Sequence, residues 1–102
     1  MKKLLWARLC TELEIGKQLA ALKVKFKFQK ELDRSITWKD YVWHEHRLTE
    51  NHANEMILAY KWFKKRKLNP LDIQGVPNRR ELIATLKDKN WKDKLEHFKS
   101  LL

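Results

Sequence analysis

The sequence predicts an all-α protein, a compact bundle of about five helices. Three observations predict it. Apolar residues recur at three- and four-residue steps along most of the chain, which is the helical period. One short run alternates with the period of a strand, and no second run exists to pair with it. Two glycines and two prolines in 102 residues leave few places where a helix must break.

The first helix is expected over about the first 22 residues, where Leu5, Leu9, Leu13, Gly16 and Ala20 step by four, four, three and four along one face. Gly16 inside that face weakens the helix but lets another helix come close. The segment Lys23-Val24-Lys25-Phe26-Lys27-Phe28 fits a strand by its alternation. Lacking a partner strand, it reads better as continued helix, with Phe28 and Leu32 at i, i+4.

Thr37 with Asp40 three residues later has the form of a capping box and opens a short helix over Trp38–His46, with Trp38, Tyr41 and Val42 inward. Thr49 caps the next helix, whose inner face is Ala53, Met56, Ile57, Tyr60 and Phe63. The run Lys64-Lys65-Arg66-Lys67 suits its C-terminal end, and Asn69-Pro70 stops it. Residues 68–77, with Pro70, Gly75 and Pro77, read as the linker. Asn78 and then Asn90 are the expected caps of two last helices, burying Leu82, Ile83 and Leu86, then Trp91, Leu95, Phe98 and Leu102. The length fits a single domain of three parts: a helical segment 1–36, a central unit 37–67 and a helical hairpin 78–102.

The composition narrows the function. Lys and Arg number 23 against 13 Asp and Glu, a formal net charge of +10. Residues 1–30 carry +6, residues 31–60 carry −3 and residues 61–102 carry +7. Such an excess favours a polyanionic partner, because lysine and arginine gain affinity by displacing counterions from phosphates. One cysteine cannot close an intramolecular disulfide and suits a reducing compartment. The opening Met1–Leu9 imitates a signal peptide, but Arg8, Glu12 and Glu14 interrupt it, and no apolar run approaches the roughly 20 residues that span a bilayer. A cytoplasmic protein without a membrane segment is expected.

The central unit is a short helix, a three-residue break at Arg47-Leu48-Thr49 and a longer helix. That is the helix-turn-helix layout, in which the first helix braces the second so that its N-terminal end enters a major groove. Glu14-Ile15-Gly16-Lys17-Gln18-Leu19, then Thr37-Trp38-Lys39-Asp40-Tyr41, then Leu48-Thr49-Glu50-Asn51-His52-Ala53 and Ala59-Tyr60 resemble small helix-turn-helix proteins of phages and plasmids, over about residues 12–63. The resemblance implies DNA binding, often in transcriptional control or replicon maintenance.

On that layout the base-reading residues are Thr49, Glu50, Asn51 and Asn54, with Leu58 beside them. Asparagine pairs with adenine, glutamate accepts from cytosine, and threonine donates to phosphate. Glu45, Glu50 and Glu55 repel phosphates, so basic flanks must supply the affinity: Lys61, Lys64, Lys65, Arg66 and Lys67 at the far end of the helix, and Arg79 and Arg80 at the start of the next. Cations are disfavoured at a helix N-terminus, so Arg79 and Arg80 imply an anion nearby, such as an outside phosphate. Trp38, Trp43, Trp62 and Trp91 belong to the core or to an interface between copies; Trp43 and Trp62, off the apolar faces, suit a dimer contact or base stacking.

No metal, cofactor or catalytic site is expected. His44 and His46 are two apart and point to different sides of a helix, no Cys-x-x-Cys exists, and Cys10 has no identifiable histidine partner. The chain therefore reads as a homodimeric, sequence-specific binder of double-stranded DNA, with repression in a phage, plasmid or related mobile element as its role. Its size, which leaves little room for a separate effector domain, favours repression over activation. Two alternatives stay open at this point: a small basic inhibitor or adaptor that binds an acidic protein surface, and an RNA-binding protein.

Overall fold

A computed structural model describes residues 2–32 and 36–102, with the side chains of Lys2 and residues 28–32 excepted. The chain is all-α. Among the described residues five helices follow one another: α1 (Lys2–Leu32), α2 (Trp38–His46), α3 (Glu50–Lys65), α4 (Arg79–Lys87) and α5 (Trp91–Ser100). A short 3-10 turn, Pro70–Ile73, lies between α3 and α4.

The continued helix expected over residues 23–28 is present, since α1 runs through them without a break. With no strand to pair with, the helix is the conformation that satisfies every backbone group locally. Phe26 then sits against α2, its ring centroid 5.8 Å from that of Trp38 and 5.5 Å from that of Tyr41. The expected pairing of Phe28 with Leu32 lies outside the described side chains. At about 1.5 Å per residue α1 is about 46 Å long. It sets the long dimension of a molecule measuring 50 × 28 × 18 Å.

Two apolar clusters lie along α1 and α3. One joins Leu19 of α1 to Trp38 and Val42 of α2 and to Ala53, Met56 and Ile57 of α3. The other joins Leu9 and Leu13 to Ala59, Ile73, Val76, Leu82, Ile83, Leu86 and Leu95. Between them the helices nearly touch. A Cβ on Gly16 would collide with the Met56 carbonyl and stand 3.2 Å from the Tyr60 Cβ, so the close approach expected at Gly16 is met by α3. The inner face of α1 differs from the expected one at its ends: Leu5 is exposed, while Leu19 is buried.

Residues 68–77 are not a plain linker. Ile73 and Val76 are among the most deeply buried side chains, and Asn69 and Asp72 form a reciprocal capping box around the 3-10 turn. Gly75 has φ +89°, and a Cβ there would strike the Phe98 carbonyl. Asn78 caps α4 as expected, accepting from the Glu81 N–H at 2.9 Å. Asn90 does not cap α5 through its side chain. Asp88 holds that corner instead: one carboxylate oxygen accepts from the Asn90 N–H at 2.8 Å, and the other lies 2.7 Å from the Lys94 ammonium. These two partners hold the Asp88 carboxyl below its ordinary pKa. Leu95 is buried as expected, Trp91 and Phe98 are half-buried, and Leu102 is exposed rather than inward.

Candidate nucleic-acid interface

The helix-turn-helix-like unit forms for reasons visible in its residues. Thr37 accepts the Asp40 N–H at 3.2 Å and starts α2. Its end is closed by Arg47, in the left-handed conformation at φ 54° and ψ 35°, with the Arg47 N–H donating to the Trp43 carbonyl and the Leu48 N–H to the Val42 carbonyl. Thr49 then accepts the His52 N–H at 3.2 Å and starts α3. Three residues therefore turn the chain from one helix into the next. Half-buried Leu48 and fully buried Val42 pack beneath the turn.

The central helix is enclosed on most sides by α1, α2 and α4, which leaves one outward stripe. Asn51, Leu58, Lys61 and Lys65 are exposed along it. Its two edges are occupied from within. At one edge the Asn54 Oδ1 accepts from Lys23 Nζ at 3.2 Å and from Trp38 Nε1 at 3.1 Å. Asn54 thus ties α1, α2 and α3 together, and its expected outward, base-reading position is corrected. Of the other expected readers, Thr49 and Asn51 are exposed and Glu50 is half-buried.

At the other edge stands Glu55, whose Oε1 is 2.7 Å from Arg79 Nε and 3.5 Å from Arg80 Nε. Arg79 also reaches Glu12 at 3.1 Å, and its side chain is only 15% exposed. The anion that offsets Arg79 at the start of α4 is therefore internal, not an outside phosphate. Arg80 remains 81% exposed. One consequence is electrostatic: Glu55, expected to repel phosphate, is neutralised from inside.

The basic run at the end of α3 divides in the same way. Arg66 turns inward, donating from Nε and Nη2 to the Leu86 carbonyl at 3.0 and 2.8 Å. Its guanidinium lies 5.2 Å from the Trp62 ring centroid and 5.3 Å from that of Trp91. It closes the C-terminal end of α4, where a cation is favoured, and is corrected from phosphate ligand to internal clamp. Lys61, Lys64, Lys65 and Lys67 stay exposed, and among the described residues no carboxylate lies within ion-pair distance of them. Lys65 rests over Trp62 at 4.7 Å, so that ring is engaged by its own cations rather than offered for stacking. Trp43 is the open tryptophan, 49% exposed on α2.

No group of three His, Cys, Asp or Glu is placed to hold a metal ion among the described residues. Cys10 is half-buried, and burial pushes its thiol pKa up, away from the reactive thiolate. No described helix is long and apolar enough to cross a membrane. No family model, curated protein or solved structure matches the chain.

Proposed function

We propose that the protein binds double-stranded DNA, with the start of α3 at the major groove and the lysines at its end on the backbone. The observation that carries this reading is the outward stripe of α3. It begins at a tight turn with Thr49 and Asn51 and runs to Lys61 and Lys65, with Lys64 and Lys67 exposed beside its end; among the described residues no carboxylate lies within ion-pair distance of these lysines. From Asn51 to Lys65 is about 21 Å at 1.5 Å per residue, longer than the roughly 12 Å width of a major groove. Base edges can be met at one end while phosphates are met at the other.

The role is sequence-specific repression of transcription by a homodimer, within a phage, plasmid or related mobile element. For the dimer, support comes from an apolar area where the start of α1 meets the end of α5. Leu5, Leu101 and Leu102 are all exposed there, with Phe98 and Pro77 beside them. Two copies each carrying +10 repel, and an uncharged contact of this kind is where they can approach.

The test is displacement of a labelled 24-base-pair random-sequence duplex at about 50 and 200 mM salt, since phosphate contacts weaken steeply over that interval. Binding that falls with salt and resists competition by polyglutamate at equal charge supports the reading. Displacement by polyglutamate as readily as by unlabelled duplex contradicts it and favours an acidic protein surface. Preference for single-stranded RNA of equal length contradicts it in favour of RNA.

A further inference from the structure

The end of α3 does not stand alone. Trp62 and Trp91 face Arg66 from two helices, Lys65 lies over the first ring at 4.7 Å and Lys92 over the second at 5.5 Å. Five side chains thus form a ladder of alternating cation and ring: Lys65, Trp62, Arg66, Trp91, Lys92. The ladder fastens α3 to the start of α5. Arg66 simultaneously grips the Leu86 carbonyl, which fixes the position of Lys87 next to it.

The turn that follows is held just as firmly. Asp88 accepts from the Asn90 N–H and pairs with Lys94, so its charge is engaged within the turn. Lys89 stands exposed at the tip, and Lys87 and Lys92 are exposed on either side of it. Among the described residues none of these three has a carboxylate within ion-pair distance. Two groups of lysines, Lys65 with Lys67 and Lys87 with Lys89 and Lys92, are thereby brought to one corner by the contacts of Arg66 although 20 or more residues separate them in sequence. Holding like charges together costs free energy unless an anion joins them. The rigid corner keeps them in place before any partner arrives, which lowers the entropy lost on binding.

We infer that Lys87, Lys89 and Lys92 form a second phosphate-contact surface for duplex DNA, adjoining Lys65 at the end of α3 and beyond the groove that Asn51 enters. This rests on the DNA-binding reading. The surface reads no sequence; it adds affinity and fixes how α3 lies on the duplex. Arg66 is its positioning residue and touches no phosphate.

The experiment measures fluorescence anisotropy of a labelled 24-base-pair random duplex between about 50 and 200 mM salt, for three proteins whose helicity is first checked by circular dichroism. They are the wild type, a variant with Lys87→Gln, Lys89→Gln and Lys92→Gln, and a control of equal charge with Lys17→Gln, Lys25→Gln and Lys27→Gln at three exposed positions scattered around α1. The first variant is expected to lower the slope of log affinity against log salt by about 2–3 and to weaken binding by about ten- to a hundredfold, because each phosphate contact contributes about 0.9 to the slope. The control is expected to change the slope by less than about 1. Equal effects of the two variants, or an unchanged slope in the first while the wild type binds, would overturn the second surface and leave the DNA reading standing. No salt-dependent duplex binding by the wild type would overturn both.

Discussion

Arg79 Nε stands 2.7 Å from Glu55 Oε1, joining the start of α4 to the middle of α3. Glu12 of α1 shares the same guanidinium at 3.1 Å, so one arginine links three helices. Replacing it leaves Glu12 and Glu55, both partly buried, with only the longer and more exposed contacts of Arg8 at 3.4 Å and Arg80 at 3.5 Å. Arg79→Ala is expected to destabilise the fold by about 2–3 kcal/mol, whereas Arg80→Ala, on an exposed side chain, changes stability by less than about 0.5 kcal/mol. Urea unfolding of the two variants checks this, and equal midpoints would show that Arg79 is no clamp.

Gly16 meets the Met56 backbone with no room for a side chain. Gly16→Ala gains helix propensity but forces α1 away from α3, where both apolar clusters meet. A net loss of about 1–3 kcal/mol is expected, as for other overpacked cores. Thermal unfolding reads it directly. A raised midpoint would mean that propensity outweighs the contact.

Arg47 sits in the left-handed region at the end of α2. An L-residue there is strained by about 1–2 kcal/mol, and glycine is not, although glycine costs more entropy on folding. Arg47→Gly should therefore stabilise the protein by about 0.5–1 kcal/mol and leave the α2–α3 turn unchanged. A fall in stability would show that the Arg47 side chain contributes contacts that outweigh the strain.

Asn51 and Asn54 were equivalent as sequence and are not equivalent as structure. Asn51 is exposed, while Asn54 holds Lys23 and Trp38. Asn54→Ala should cost about 1–2 kcal/mol of stability and leave the preferred DNA sequence unaltered. Asn51→Ala should alter that preference with stability unchanged to within about 0.5 kcal/mol. Lys64→Gln should weaken binding to all sequences alike. Selection of bound duplexes by each variant separates the three outcomes.

Local signals carried most of the fold. Thr37 with Asp40, Thr49 and Asn78 mark helix starts because a side-chain oxygen three residues before an N–H is a purely local fit. The inner faces of α2, α3 and α4 follow from their period, with Trp38, Val42, Ala53, Met56, Ile57, Leu82, Ile83 and Leu86 all buried. What was not legible depends on partners distant in sequence. Arg66 finds its acceptor 20 residues away and Arg79 finds Glu55 24 residues away, so neither could be told from a surface cation. Asn54 is fixed by residues of two other helices. Ile73 and Val76 lie between Pro70 and Pro77, where no period runs long enough to reveal that they face the core.

Selection from a random duplex pool at about 150 mM salt, where weak backbone-only binding fades, decides whether α3 reads a DNA sequence. A homodimer with Thr49, Glu50 and Asn51 at the groove predicts enrichment of an inverted repeat whose half-sites are spaced by about one helical turn, or a multiple of it. Recovery of sequences without a shared site, all released together as salt rises, would contradict sequence-specific recognition by α3.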